Sequence, residues 1–384
     1  MAHIPYGRQE VTAADIEAVT EVLKSDWLTQ GPVVPRFERA LAEACGAGHA
    51  VAVNSATSAL HIACLALELG PGDWLWTSPI TFLASANCAR YCGAHVDFVD
   101  IDPRTYNMCP VALARKLDQA RAEGRLPKIV VPVHLAGQSC DMAAIHALSG
   151  EFGFRIVEDA SHAVGGRYRG KPVGDGRFSD VTVFSFHPVK IITSAEGGMA
   201  LTNDPQLAQR MARLRSHGMT REEAQMSREP DGPWYYEQVE LGFNYRMTEL
   251  QAALGLSQAA RLHDYVSRRH TLARRYDEGL SGLPLTTPWQ HPDTYSALHL
   301  YIVRVATHMR RAVFDSLRAS DIGVNVHYIP VHTQPYYRRL GSTSGPFPEA
   351  ERYYAEAISL PMYATLAEEQ QVRVMEALRR ALRS

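Results

Sequence analysis

Between residues 49 and 202, short β-rich runs alternate with longer helical stretches, and this alternation constrains the fold more than any other feature of the chain. The run HAVAVN (49–54) is typical of a strand, and TSALHIACLALEL (57–69) has the apolar spacing of an amphipathic helix. The runs DWLWTS, HVDFVDI, KIVVPVHL, FRIVEDA and VTVFSF continue the strand series, with helical stretches between most of them. Because strands joined by crossover helices form a parallel sheet, the sequence predicts a doubly wound α/β fold.

The chain has 384 residues, whereas single hydrophobic cores stop growing near ~250 residues, so two domains are expected. Residues 248–280 are dense in helix formers and only Gly255 interrupts them, which indicates a long helix leaving a large domain. Beyond it, we interpret the runs LYIVRV and VNVHYI as strands among helical stretches. We therefore predict a large α/β domain with a mostly parallel sheet over residues 1–255 and a small α+β domain over residues 256–384.

Composition excludes several classes of function. Apolar residues make up 46% of the chain and charged residues 21%, which is typical of a globular protein rather than a disordered one. The net charge of -2 offers no broad electrostatic footprint for nucleic acid or an anionic membrane. No stretch reaches the roughly 18 to 20 apolar residues of a membrane span, and the start lacks the pattern of a secretion signal. We therefore expect a cytoplasmic protein without nucleic-acid or membrane partners.

Two apparent nucleotide motifs and one apparent metal motif fail on their details. GGRYRGKP (165–172) has Pro172 where a P-loop needs a hydroxyl, and GAGHAV (46–51) precedes the first strand instead of following it. His327 and His332 have no carboxylate or cysteine partner nearby, so hydrogen-bonded imidazoles are favoured over metal ligands. The six cysteines form no CxxC pair, and we interpret them as buried thiols. We predict no metal site.

Polar residues follow three of the predicted strands at their carboxyl ends, where open α/β sheets bind ligands. Ser55 and Ala56 open the helix after the first strand, where free amide groups suit a phosphate, with a plain helix cap as the alternative. Asp159 ends an apolar strand, and a carboxylate in that position needs a cationic partner to remain ionised. The run VTVFSF contains Ser185 and leads to Lys190.

Lys190 lies between an apolar strand and an apolar dipeptide, where loss of water lowers the basicity of an amine and favours a Schiff base with a carbonyl compound. A lysine that holds pyridoxal 5′-phosphate (PLP) needs an acid for the ring nitrogen, donors for the phosphate and a flat side chain over the ring. The chain has a candidate for each need: Asp159 for the acid, Ser55, Ala56 and Ser185 for the phosphate, and Phe82 for the ring. These residues predict PLP as the cofactor.

Five motifs occur in an order and spacing that resemble the DegT/DnrJ/EryC1/StrS family of nucleotide-sugar aminotransferases. They are NSATSAL (54–60), EDASHA (158–163), FSFHPVK (184–190) with its trailing EGG, RSHGM (215–219) and GFNYRMTELQAALG (242–255). The resemblance extends from Tyr6 to the segment HYIPVHTQPYY (327–337). It implies a PLP-dependent enzyme with the type I aminotransferase fold.

The resemblance also implies roles for individual residues. Lys190 is the residue that would form the Schiff base, and Asp159 would pair with the pyridine nitrogen. Ser185 and the region of Ala56 would hold the phosphate, and Phe82 would cover one face of the ring. Relatives that have histidine in place of the lysine dehydrate sugars instead, so Lys190 argues against that branch.

Two further residues gain a role only from the resemblance. His162 would lie beside the cofactor, at a position where many relatives have glutamine. Asn244 resembles the residue that reaches the phosphate from the second protomer, which implies a homodimer with shared active sites.

Within the family, the chain is most similar to the transaminases of pseudaminic acid biosynthesis, on the basis of Tyr6, SDWLTQGP (25–32), the FSFH variant, RSHGM, LGLSQ and HYIPVH. This similarity implies a UDP-linked 4-keto sugar as amino acceptor, L-glutamate as donor and UDP-4-amino-4,6-dideoxy-N-acetyl-β-L-altrosamine as product. The substrate contacts that it implies are Tyr6, Asp26, Trp27, Leu28, Thr29, His327, Tyr328, Ile329 and Pro330.

Two alternatives stay open at this point. The chain could be an aminotransferase for a different UDP- or dTDP-linked keto sugar, or a catalytically silent regulator that binds PLP. The intact Lys190, Asp159 and Ser185 speak against a silent regulator. The charged segment 220–239 has no motif that assigns it, and its prolines predict a mobile loop over residues 226–239.

Overall fold

The computed structural model of the protein describes residues 3–341 and 345–383. Its helices are α1 Ala13–Lys24, α2 Val33–Cys45, α3 Ala56–Ala66, α4 Ala84–Tyr91, α5 Pro110–Glu123, α6 Met142–Phe152, α7 Pro205–Arg215, α8 Glu249–Ala259, α9 Leu262–Leu280, α10 Thr307–Ala319, α11 Pro335–Leu340, α12 Pro348–Glu356 and α13 Glu368–Ala381. Short 3-10 turns cover Leu135–Gly137, Glu223–Gln225 and Val331–Thr333.

The strands are β1 His49–Val53, β2 Trp74–Thr77, β3 His95–Phe98, β4 Ile129–Val131, β5 Arg155–Asp159, β6 Arg167–Tyr168, β7 Lys171–Pro172, β8 Val181–Ser185, β9 Gly198–Thr202, β10 Met219–Thr220, β11 Glu237–Gln238, β12 Leu285–Thr286, β13 Thr294–Tyr295, β14 Tyr301–Val305 and β15 Ala357–Leu360. Seven of them form a central sheet in the order β1-β9-β8-β5-β4-β2-β3.

Six of the seven strands in the central sheet run in the same direction. The pairs from β8 across to β3 are parallel, whereas β9 is antiparallel to both β1 and β8. The carboxyl ends of β1, β5 and β8 therefore lie at one edge of the sheet. Strands β5 and β8 are buried along nearly their whole length, as is expected for a sheet covered on both faces. The predicted α/β class with a mostly parallel sheet is confirmed.

A second hydrophobic core lies in the C-terminal part of the chain. It packs α9, α10 and α13 against β14 and β15 of a three-stranded antiparallel sheet. Ile4, from the opposite end of the chain, is fully buried in this core, and its backbone bonds to Asp321 and Gly323. The division of the chain into domains 1–255 and 256–384 stays a prediction.

Two local predictions differ from the structure. The stretch 248–280 forms two helices instead of one, because the chain turns at Arg261, whose guanidinium donates to both carboxylate oxygens of Asp15 at 2.7 and 2.8 Å. The run VNVHYI (324–329) is not a strand, and Asn325 makes only an isolated bridge to Ser359. Its residues instead line a cavity beside the central sheet.

The segment after α7, which the sequence left without a role, is closed by a short hairpin. Met219 and Thr220 of β10 pair with Gln238 and Glu237 of β11. Residues 221–236 lie between the strands, and within them Arg228 forms an exposed ion pair with Asp231.

Candidate active site

The carboxyl edge of the central sheet opens into a cavity of about 730 Å³. The loop after β1, the end of β5 and the end of β8 meet there, as the alternation of strands and helices predicted. Eleven of the predicted site residues line this cavity: Tyr6, Ser55, Ala56, Phe82, Asp159, His162, Ser185, Lys190, His327, Tyr328 and Ile329.

The first part of the site is the amino terminus of α3. Ser55 caps the helix, and its Oγ accepts the N–H of Ser58 at 3.1 Å. Gly198, which begins β9, passes so close that a Cβ there would lie 2.4 Å from the amide nitrogen of Ala56. The first amides of a helix have no partner within the helix, so this end can bind a phosphate. Both the cap and the phosphate interpretation of Ser55 are compatible with this arrangement.

Asp159 lies at the base of the cavity and is 5% exposed. Its Oδ2 accepts a hydrogen bond from Ser85 Oγ at 2.6 Å, and its Oδ1 accepts one from the backbone N–H of Ser161 at 3.1 Å. Ser85 is itself fully buried and bonds to Thr81 at 2.6 Å. These contacts fix a carboxylate that can pair with a protonated ring nitrogen.

Lys190 follows β8 in a turn in which its backbone N–H donates to the carbonyl of His187 at 2.9 Å. Its side chain is half-buried beside the cavity. Desolvation lowers the pKa of the Lys190 amine to about 8, although the charge of Asp159 acts in the opposite direction. A lysine with a lowered pKa has a larger neutral fraction near pH 7 and is the better nucleophile toward a carbonyl group.

Histidine and tyrosine side chains cover another side of the cavity. His162 Nε2 lies 3.0 Å from the hydroxyl of Tyr328, and the ring of His299 lies 4.4 Å from that of His162. His327 Nδ1 bonds to Ser359 Oγ at 2.8 Å, and its ring is 5.5 Å from that of Tyr6. Burial, together with the nearby charge of Lys190, lowers the pKa of His327 to about 4. This side therefore offers neutral donors and acceptors rather than fixed charges.

Glu158 precedes Asp159 and, like every second residue of a strand, points to the opposite side of the sheet. It is buried against His134, with Oε2 at 2.6 Å from Nε2, and it also accepts from Thr182 at 3.1 Å. Burial raises the pKa of Glu158, but the bonds from His134, Ser179 and Thr182 outweigh this effect and lower it. Of the two adjacent carboxylates, only Asp159 lines the cavity.

Six predicted site residues do not line the cavity: Asp26, Trp27, Leu28, Thr29, Asn244 and Pro330. Pro330 is buried, whereas the other five are exposed. The backbone of the exposed residues is nevertheless held in place. Leu28 accepts from the N–H of Glu249 at 3.0 Å, Thr29 forms a bridge to Thr248, and Asn244 forms one to Ser216.

Sequence reasoning missed several residues that line the cavity or support it. Ser85 is 74 positions from Asp159, and a serine near the start of a helix gives no sign of a distant partner. His299 precedes β14 in an apolar run, where a histidine is typical of the core, yet it lines the cavity. Thr57, Ser161 and Glu196 lie within a few residues of predicted positions, so proximity to the motifs could have identified them.

The ranges 3–341 and 345–383 hold neither a cluster of potential metal ligands nor a helix suited to span a membrane. These residues contain no group of three or more histidine, cysteine or acidic side chains arranged to bind a metal ion. None of the helices in the same ranges has the length and apolar character to cross a membrane. The six cysteines are free thiols, and five of them are buried.

Comparison with known proteins assigns this arrangement to a family. The DegT/DnrJ/EryC1/StrS aminotransferase family model matches residues 9–379. The spore coat polysaccharide biosynthesis protein SpsC of Bacillus subtilis is 42% identical over 384 residues, which cover 98% of this chain and 96% of SpsC.

Solved structures also resemble the whole chain. Helicobacter pylori PseC, an aminotransferase involved in the biosynthesis of pseudoaminic acid, is 32% identical, has a TM-score of 0.91 and is matched over 100% of both chains. The PLP form of Spr1654 from Streptococcus pneumoniae is 31% identical with a TM-score of 0.90, over 100% of this chain and 99% of that one. The predicted type I aminotransferase fold and PLP cofactor are confirmed. The chain therefore belongs to the DegT/DnrJ/EryC1/StrS family and is a PLP-dependent sugar aminotransferase.

Proposed function

We propose that the chain transfers an amino group from L-glutamate to C4 of a UDP-linked 4-keto-6-deoxy-N-acetylhexosamine. The product is UDP-4-amino-4,6-dideoxy-N-acetyl-β-L-altrosamine, an intermediate of pseudaminic acid biosynthesis, and the reaction takes place in the cytoplasm. The observation that carries this proposal is that one cavity joins Lys190 and Asp159 to Tyr6 and the residues 327–329. The likeness to PseC over the full chain supports the choice of sugar.

The residues around the cavity suit PLP, and we assign them accordingly. Asp159 would pair with the ring nitrogen, Phe82 would cover the ring, and His162 would lie beside it. Ala56 at the start of α3 and Ser185 at the end of β8 would hold the phosphate, together with the Ser55 cap. When bound, PLP provides an electron-withdrawing ring that stabilises negative charge on the carbon that loses its proton.

Lys190 performs the proton transfer in this proposal. The residue is half-buried, and the pKa of its amine, about 8, lies close to a working pH near 7, which favours a group that both accepts and returns a proton. Ser85 keeps Asp159 in place while this happens, since it bonds to Oδ2 at 2.6 Å.

The substrate side of the cavity supports recognition of sugar hydroxyls and of the acetamido group. Tyr6, His327 and Tyr328 present neutral polar groups there, and burial raises the pKa of both tyrosines, so their hydroxyls stay protonated. A stereoisomer that leaves one buried polar group unpaired loses about 1 to 3 kcal/mol of binding free energy. Two such mismatches are enough for a strong preference between the L and D series.

We further propose that the enzyme is a homodimer whose partner completes each site with Asn244 and the segment Asp26–Thr29. These residues are exposed in the single chain, although the backbone of Leu28 and Thr29 is held by the start of α8 and that of Asn244 by Ser216 after α7. Trp27 and Leu28 are 55% and 50% exposed, and Leu241 near Asn244 is 78% exposed. Trp27 and Leu28 are adjacent in the chain, and neighbouring large apolar side chains that are exposed together are typical of an interaction site.

A second candidate is an aminotransferase for a different UDP- or dTDP-linked keto sugar. The identity to SpsC, a protein of spore coat polysaccharide biosynthesis, is 42%, compared with 32% for PseC. The higher identity to SpsC is the observation that keeps a different keto sugar as the second candidate.

Competition between keto sugars tests the proposal. The purified enzyme receives L-glutamate and an equal mixture of the L-arabino and D-xylo 4-keto sugars linked to UDP, and NMR identifies the amino products. We expect the L-altrosamine product to dominate. Equal rates, or a product with the opposite configuration at C4, would leave the sugar aminotransferase assignment intact but refute the choice of sugar.

A further inference from the structure

His162 and Tyr328 form a hydrogen bond at the edge of the cavity, and the backbone fixes its direction. His162 Nε2 lies 3.0 Å from Tyr328 Oη, and His162 Nδ1 lies 3.2 Å from the backbone nitrogen of Ala136. A backbone amide can only donate, so Nδ1 accepts and carries no proton. The single proton of the neutral ring is therefore on Nε2, and His162 donates to the oxygen of Tyr328.

The surroundings of His162 keep this tautomer in place. The residue is 5% exposed, and His299 packs against it with a ring separation of 4.4 Å. Burial, followed by the nearby charges of Lys190 and His327, holds the pKa of His162 well below its ordinary value. The ring thus stays neutral across the range in which such an enzyme works, and the direction of the bond to Tyr328 does not change with pH.

The oxygen of Tyr328 accepts from His162, so its own O–H remains to donate elsewhere. Within the described ranges, Tyr328 Oη makes no other hydrogen bond with the protein, and the residue lines the same cavity as Lys190 and Asp159. Burial raises the pKa of Tyr328, so the hydroxyl keeps its proton. Tyr328 is therefore a neutral hydrogen-bond donor whose O–H is directed away from His162.

We propose that Tyr328 is a catalytic hydrogen-bond donor to the carbonyl oxygen of the keto compound that reacts beside Lys190, and that His162 is a positioning residue that orients it. For the keto sugar this rests on the proposed function, whereas for the 2-oxo acid formed from glutamate it needs only the aminotransferase activity. Negative charge grows on a carbonyl oxygen when an amine adds to its carbon. The same charged oxygen occurs in the reverse direction, where water has added to the carbon, the C–N bond breaks and the amine leaves as the carbonyl forms, so a donor fixed in advance stabilises both directions. Tyr328 keeps its proton throughout, so no covalent bond of the protein changes.

The glutamate half of the reaction tests this proposal without any sugar. In D₂O, NMR follows two rates for the PLP-loaded enzyme: exchange of the glutamate Cα hydrogen, which needs Lys190 but no carbonyl oxygen, and formation of 2-oxoglutarate, which needs both. We expect Tyr328→Phe to slow 2-oxoglutarate formation by about 10- to 100-fold while hydrogen exchange stays within about threefold of wild type. Tyr337→Phe is the matched control, because Tyr337 is buried and its hydroxyl donates to Asn87 at 2.6 Å outside the cavity.

Variants of His162 test whether this residue acts through Tyr328. In a His162→Leu background, Tyr328→Phe should reduce the rate of 2-oxoglutarate formation by less than about a further threefold, because the Tyr328 hydroxyl is no longer oriented by His162. His162→Gln retains both an acceptor for Ala136 and a donor for Tyr328, and it should keep 2-oxoglutarate formation within about fivefold of wild type. Three results would overturn the proposal. The losses of 2-oxoglutarate formation could multiply in the double variant, Tyr328→Phe could slow hydrogen exchange as much as 2-oxoglutarate formation, or Tyr328→Phe could leave the rate of 2-oxoglutarate formation unchanged. Failure of the sugar assignment alone would leave all of these rates as expected.

Discussion

The cavity around Lys190 and the surface around Asn244 differ in how far one chain completes them. In the cavity, Asp159 has two hydrogen-bond donors, and His162 uses both ring nitrogens. On the surface, the backbone of Leu28 and Thr29 is bonded to α8, but the side chains from Asp26 to Thr29 are exposed. The polar groups of the cavity are therefore hydrogen-bonded within one chain, whereas the surface has an ordered backbone and exposed side chains. Such a surface is suited to binding a second chain.

The order of the exposed surface has an identifiable cause. Glu249, which is fully buried, accepts the backbone N–H groups of Val33 and Val34 at 2.6 and 3.2 Å. Gly31 has no room for a side chain, since a Cβ would lie 2.6 Å from that of Trp27. The segment before α2 is therefore fixed against α8 before any partner binds, which reduces the entropy lost on association.

The largest effect is expected for Lys190→Ala, which removes the nucleophile and the proton carrier together. Transamination should fall by at least about a thousandfold. Activity assays with glutamate, together with borohydride reduction and peptide mapping of the wild type, check this. Lys171→Ala is the matched control, because Lys171 is exposed on β7 and should retain wild-type activity. Cofactor found on Lys171 after reduction would refute the role of Lys190.

A pH effect of about tenfold is expected for the recombination of the apoenzyme with PLP. Because the pKa of Lys190 is lowered to about 8, its neutral fraction rises from about one tenth at pH 7 to about nine tenths at pH 9. The recombination rate, followed by visible absorbance, should therefore reach half its maximum near pH 8.

The variant Asp159→Asn sharpens this measurement. The charge of Asp159 raises the pKa of Lys190, so its removal should move the midpoint to lower pH. A wild-type midpoint near pH 10, as for an exposed lysine, would contradict the buried setting of the amine.

A smaller effect is expected for Ser85→Ala. The change removes one of two donors to Asp159 while the N–H of Ser161 remains, so the affinity of the apoenzyme for PLP should fall by about tenfold. Fluorescence titration with PLP measures it, and Ser85→Thr, which keeps a hydroxyl, should recover most of the affinity. An unchanged dissociation constant in Ser85→Ala would show that Ser85 does not act through Asp159.

Sequence reasoning located the strand-end residues because parallel strands bring their carboxyl ends to one edge whatever the details of packing. It placed Ser55, Asp159, Ser185 and Lys190 around one cavity for that reason. It could not find Ser85 or His299, which reach the site through contacts between distant segments. It assigned residues 324–329 to a strand because their apolar and β-branched side chains resemble those of a strand, whereas residues 325–329 line the cavity without regular strand pairing.

Subunit mixing tests most directly whether the surface around Asn244 completes the active site of a second chain. A Lys190→Ala chain and an Asn244→Ala chain, each inactive alone, are combined in equal amounts after dissociation and allowed to reassemble. If the partner supplies Asn244, each hybrid dimer contains one site with both residues intact, and about a quarter of wild-type activity should return. A mixture that stays inactive although both variants fold and exchange subunits, or a wild-type enzyme that is active as a monomer, would contradict the shared site.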